Sequence, residues 1–192
     1  MSLLSLIEPG QGDDAQNRFL GQALPLNLFK AMAHAPLLAE RTSRLARTIL
    51  YEIDLDAKVR ELAILRAAHA VGCAYEVGHH ERIGRDVGLT QAQIDAVKPG
   101  GDLSVLAEKE ALACRFATEI AATGHAEPQT AQRAIAAFGE DGAVQLTMTV
   151  GCYLMVANFL VTFEIPFEGA GFSNGVTINQ APPPYQAASE PA

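Results

Sequence analysis

The chain has 192 residues, which at roughly 150 residues per domain reads as a single domain. Apolar residues make up 49% and charged residues 19%, enough for a sizeable core and incompatible with a disordered chain. Fourteen Lys and Arg stand against 22 Asp and Glu, a net charge of −8 with a pI near 5.1, which excludes any global attraction for nucleic-acid phosphates or an anionic membrane surface.

Residues 1–24 read as an N-terminal arm. Its start, Met1 to Ile7, is apolar but lacks a basic flank and soon meets Glu8, Asp13 and Asp14, so it does not read as a secretory signal, and a cytoplasmic location is expected. The helical domain is expected over 25–168. Residues Pro25 to Ala33 and Leu37 to Tyr51 form a helix pair punctuated by Pro36, whose fixed φ suits a first turn. Asp56 is a natural N-cap for a helix through Val59, Leu62 and Ala63 to about Ala70. Gly72 interrupts, and an amphipathic run from Cys73 to Val87 stops at Gly88. Thr90 with Gln93 makes a capping box for a short helix closed by Lys98-Pro-Gly-Gly101.

Helices are then expected from Ser104 to Thr123, ended by Gly124, and from Glu127 to Phe138, opened by Pro128 and ended by Gly139. Ala143 to Phe163 carries no charge and is long enough to span a bilayer, but it holds Gln145, Thr147, Thr149 and Asn158 between acidic flanks. A buried core or oligomer helix is the expected reading. Residues 169–192, with Pro182 to Pro184, read as an extended or disordered tail able to strap onto a neighbouring subunit. No stretch shows β alternation, so the class is all-α.

Chemistry concentrates between Arg60 and His80. Cys73, Glu76 and His80 are spaced three and four apart and share one helix face. Just after the Gly72 break, the first-turn amides and helix dipole would lower the Cys73 thiol's pKa. Glu76 and His80 can exchange a proton, and Glu61 on the preceding helix can orient the imidazole. Glu61, Cys73, Glu76 and His80 are therefore the expected catalytic residues. Tyr75 and His79 are expected substrate contacts, with His79 off the shared face and nearer solvent. Cys114 and Cys152 fall in core patterns. A metal reading needs His69, Cys73, Glu76 and His80 on one helix running straight through Gly72, and the stronger zinc signature of two His four apart around a Glu is missing. Neither metal nor cofactor is expected.

Glu61, twelve residues to Cys73, three more to Glu76 and four to His80, within "REL…GCAYEVGHHERIGRDVGLT", resembles the carboxymuconolactone decarboxylase family, whose superfamily includes the alkylhydroperoxidase D proteins. The likeness covers about residues 25 to 165, including "LFKAMAHAP" upstream. It implies an all-helical alkylhydroperoxidase D-like fold assembled into a homo-trimer or hexamer, with sites near subunit contacts and self and a small molecule as the only partners. In the peroxidase branch the pattern is Glu, Cys-x-x-Cys, then His. Here Glu76 takes the second Cys position, and a carboxylate cannot resolve a sulfenic acid into a disulfide. Tyr75-Glu76 followed by His79-His80 is closer to the decarboxylase branch, with Val77 where Trp is usual.

The resemblance thus implies loss of CO2 from a lactone or keto-acid carboxylate in aromatic catabolism, with His80 as general acid and Glu61 and Glu76 tuning it. An Arg among Arg60, Arg66, Arg82 and Arg85 would hold the carboxylate. The alternatives are a one-cysteine thiol peroxidase of peroxiredoxin type through Cys73, and a non-catalytic helical oligomer that binds a small ligand.

Overall fold

The computed structural model describes residues 2–168; the tail expectation falls on 169–192 and lies outside the described residues. Among the described residues there are eight α-helices and no strand: α1 (Asp14–Leu20), α2 (Asn27–Met32), α3 (Pro36–Tyr51), α4 (Ala57–Ala70), α5 (Ala74–Asp86), α6 (Gln91–Ala96), α7 (Glu108–Thr123) and α8 (Pro128–Thr162), with a 3-10 turn at Leu103–Val105 before α7. The all-α class is what the 3.6-residue periodicity predicts.

Helix α4 is the axis of the molecule. Val59 to Leu65, Ala67 and Ala68 are all buried, which is the signature of an interior helix rather than an amphipathic one. Val59, Ala63 and Ala67 face α7 and α8 through Ala113, Phe116, Ala117, Leu146 and Val150. Leu62 and Leu65 face Ile94, Val97 and Cys114 on the other side. The polar cost of such burial falls on Arg60 and Glu61, which lie side by side and pair with each other, Arg60 Nε to Glu61 Oε1 at 3.0 Å.

Local chemistry sets the boundaries. Asp56 caps α4 by accepting from the amides of Lys58 and Val59, and Thr90 and Gln93 close the expected capping box on α6. Helix α7 starts at Glu108 rather than Ser104. Asp102 accepts from the amide of Ser104 and winds a 3-10 turn there, while Glu110 reaches back to the amide of Ala107. Gly139, at φ 76° and ψ 171°, breaks α8 where the sequence places a helix end. Helix α1 lies within the segment read as an arm. Asp13 and Gln16 cap it reciprocally, and it buries Phe19 and Leu20 against Ala33 and Ala39.

Helix α8 is long and apolar enough to cross a membrane, with mean hydropathy 1.6 and 44% of that window buried within the chain. Val144, Met148 and Met155 remain exposed along one uncharged face.

Candidate active site

The site is made by the turn between α4 and α5. Gly72 adopts φ 68°, a left-handed conformation that only glycine reaches without strain. The amide of Cys73 then donates to the carbonyl of Ala68 at 2.9 Å, and α5 folds back along α4. Residues nineteen apart in sequence now face each other: His80 Nδ1 donates to Glu61 Oε2 at 2.7 Å. One turn back on α5, Glu76 Oε2 lies 3.1 Å from the other ring nitrogen, Nε2. The result is a continuous chain of Arg60, Glu61, His80 and Glu76, all buried.

Burial by itself pulls the His80 pKa down. The carboxylates of Glu61 and Glu76, one hydrogen-bonded to each ring nitrogen, outweigh it and hold the imidazolium to a pKa of about 9. At neutral pH the four formal charges (Arg60, Glu61, His80 and Glu76) cancel. Such a neutral cluster is the arrangement that tolerates a low dielectric.

Glu76 and His80 also line a cavity of about 140 Å³, close to the size of an engineered cavity known to hold benzene. Its walls are mostly apolar, with Leu28, Phe29, Leu50, Ile83 and Val156 among them. Polar groups come from Tyr51, Tyr75, His79 and Tyr153, and α3 adds Arg44 and Arg47. These two arginines are ion-paired to Glu40 at 2.9 Å and Glu52 at 3.0 Å. Glu61 sits behind the imidazole, with no exposed surface.

A second cluster backs the cavity wall. Tyr75 donates its hydroxyl to Glu168, and His79 Nε2 donates to the same carboxylate at 2.9 Å. The amide of Asn27, at the start of α2, donates to Glu168 Oε1 at 2.6 Å, and the amide of Leu28 donates to the Tyr75 hydroxyl at 3.3 Å. Phe167 packs on both rings, 4.7 Å from His79 and 5.7 Å from Tyr75, over Gly78, where a Cβ would come within 2.8 Å of it. Burial raises the Glu168 pKa, but the donors from His79, Tyr75 and Asn27 together leave it below the ordinary carboxylate value. The segment after α8 is thereby clamped across α2 and α5. His79 is buried at 7% exposure, a correction to its expected solvation: Glu168 supplies the partner that burial demands.

The structure therefore gathers Glu61, Glu76 and His80, and places Tyr75 and His79 on the cavity wall. Cys73 stands apart from that lining. It is the N-cap of α5, 1% exposed, packed with Leu26, Ala31, Val156 and Leu160. The expected lowering of its thiol pKa is reversed. Burial raises it more than the amides of Glu76 and Tyr75 lower it, and the nearby Glu76 carboxylate adds to the rise. Cys114 and Cys152 are buried too, pushed up to about 12 and about 11 chiefly by burial. The metal stripe fails geometrically, because the break at Gly72 puts His69 on α4 and the other three at or within α5.

None of the four arginines expected to hold a carboxylate lines the cavity. Arg60 is paired to Glu61, Arg66 donates to the carbonyls of Val97 and Lys98, and Arg85 binds Glu81.

Residues 36–119 match the model of the carboxymuconolactone decarboxylase family. Among solved structures it is similar to a protein of unknown function from Agrobacterium tumefaciens, described as a candidate antioxidant defence protein AhpD. That likeness has 22% identity and a TM-score of 0.65, and covers 72% of this chain and 96% of the other. At that identity the likeness is one of fold, the alkylhydroperoxidase D-like fold. No curated protein matches the chain.

Proposed function

We propose that the protein is a cofactor-free acid–base enzyme of the decarboxylase type, acting on a small unsaturated lactone or keto-acid carboxylate. The observation that carries this reading is His80, held as an imidazolium between two buried carboxylates, with Glu76 and His80 both facing the cavity. Decarboxylation needs a place for one anion, a dry wall for the conjugated body and one proton for carbon. Arg44 and Arg47 supply the cationic wall and the apolar lining the dry one.

The bond between carbon and carboxylate breaks and CO2 leaves. Its electron pair passes into the conjugated carbonyl, and the proton shared by His80 Nε2 and Glu76 ends on carbon. A proton from water then restores the pair. Glu61 and Arg60 fix the ring's orientation from behind and keep the cluster neutral.

The peroxidase alternative draws less support. A peroxidatic sulfur must meet peroxide as a thiolate, whereas Cys73 is enclosed by aliphatic side chains and its thiol is held protonated. The uncharged exposed face of α8 favours the homo-oligomer that the family resemblance implies. The reading is tested by turnover of carboxylated unsaturated lactones by wild type, Glu76→Gln and His80→Ala. Both variants are expected to lose at least a hundredfold in kcat. Retention of full turnover by both would overturn it.

A further inference from the structure

Three tyrosines line the cavity, and their hydroxyls are not equivalent. Tyr75 commits its hydroxyl to Glu168 and to the amide of Leu28. Tyr51 engages its surroundings as well, within electrostatic reach of Arg60, Glu61 and Arg47. Tyr153, on α8, is 6% exposed and makes no hydroxyl hydrogen bond among the described residues, but its oxygen is not fully buried and keeps surface open to the cavity it lines. A hydroxyl with surface on a polar-edged cavity is met by water until a ligand takes that place. Uncommitted to any protein group, the Tyr153 hydroxyl is free to donate to a ligand that displaces that water. Its ring stands edge-on to the His80 imidazole, centroids 4.7 Å apart at 84°, so ring and proton donor face the same small space.

We propose that Tyr153 is a further catalytic residue, donating its hydroxyl hydrogen to the substrate oxygen on which negative charge gathers as CO2 departs. This rests on the decarboxylase-type reading above, and names the partner that reading lacked: a fixed donor for the enolate oxygen while the His80–Glu76 proton goes to carbon. Burial, then the carboxylates of Glu61 and Glu76 and the neighbouring Cys152, hold the phenol protonated, so it stays a neutral donor across the working pH range. A neutral donor suits this position. The charges of Arg60, Glu61, Glu76 and protonated His80 already cancel, and a preorganised O–H stabilises developing charge without an ion to desolvate. Its ring is also fixed by packing, through Ile49, Ile64 and Cys152.

The probe is p-nitrophenolate, an aromatic oxyanion of a size suited to the cavity, with a visible spectrum that separates it from its phenol. Nitrobenzene serves as the neutral control. Binding is measured on wild type and Tyr153→Phe, which keeps the ring on His80. The expected result is a loss of about tenfold or more for p-nitrophenolate with nitrobenzene unchanged, the effect of one hydrogen bond to a charged acceptor. In wild type, the Tyr153 hydroxyl proton moves downfield in the NMR spectrum when the phenolate binds. Equal losses for both probes, no loss for either, failure of wild type to bind the phenolate, or an unmoved hydroxyl proton would each overturn the assignment. None of these readouts requires turnover. A decarboxylase reading that fails at His80→Ala is thus told apart from a Tyr153 role that fails here.

Discussion

The charge on His80 makes stability depend on pH in a definite sense. Its pKa rises from an ordinary 6.5 to about 9 on folding, so between those values the native protein holds a proton that the unfolded chain has released. A group whose folded pKa is raised gives its full stabilisation below the unfolded value and loses it as pH climbs through the folded one. Unfolding free energy should therefore fall by about 1.4 kcal/mol per pH unit in this window, roughly 3 kcal/mol in all. The assay is urea unfolding from pH 7 to 8, above the range in which His69, its pKa lowered by burial, titrates and below the ordinary range of thiols in the unfolded chain. His80→Ala is less stable throughout, because it strands Glu61 and Glu76 in the interior, but its curve should be flat in the same window. A flat wild-type curve, or an equal slope in His80→Ala, would refute the doubly paired imidazolium.

Glu168→Ala removes the acceptor of Tyr75, His79 and the Asn27 amide, and should cost about 2–4 kcal/mol in urea unfolding, with amide exchange accelerated first at Asn27 and Leu28. Gly88 ends α5 at φ 92°, where its amide and that of Leu89 close onto Arg85 and Gly84. Gly88→Ala should lower stability by about 1–2 kcal/mol with no change in site chemistry. Cys73→Ser should leave hydroperoxide consumption with a dithiol reductant at the wild-type level; activity that vanishes with this sulfur would move the protein to the peroxidase branch.

The legible part of the site is the part encoded by local spacing. Glu76 and His80 are one turn apart, and Gly72 announces the reversal that brings Glu61 to the same ring. The less legible residues are those whose meaning depends on tertiary placement. Tyr153 lies in an uncharged run where any aromatic reads as core, and only the fold turns it onto the cavity beside His80. Arg44 and Arg47 lie on α3, well before the motif, so a search for a carboxylate anchor near the motif passes them by. Glu168 is a lone carboxylate after the last helix, and nothing around it signals that it closes on Tyr75 and His79, some ninety residues earlier. Helix α1 carried a signal, Asp13 with Gln16 as a capping pair, in a segment too short and polar for periodicity to mark. The Cys73 thiol shows the reverse: its helix-terminal position is local and visible, but the aliphatic enclosure that outweighs it is not.

The most direct test of proton delivery from the His80–Glu76 pair is turnover of a carboxylated unsaturated lactone in D2O, with CO2 release and deuterium content of the product followed together. The account predicts one deuterium on carbon for each CO2 released, with both events lost at least a hundredfold in His80→Ala and Glu76→Gln and retained in Cys73→Ser. Release of CO2 at the wild-type rate in the first two variants, or its loss in Cys73→Ser, would contradict it.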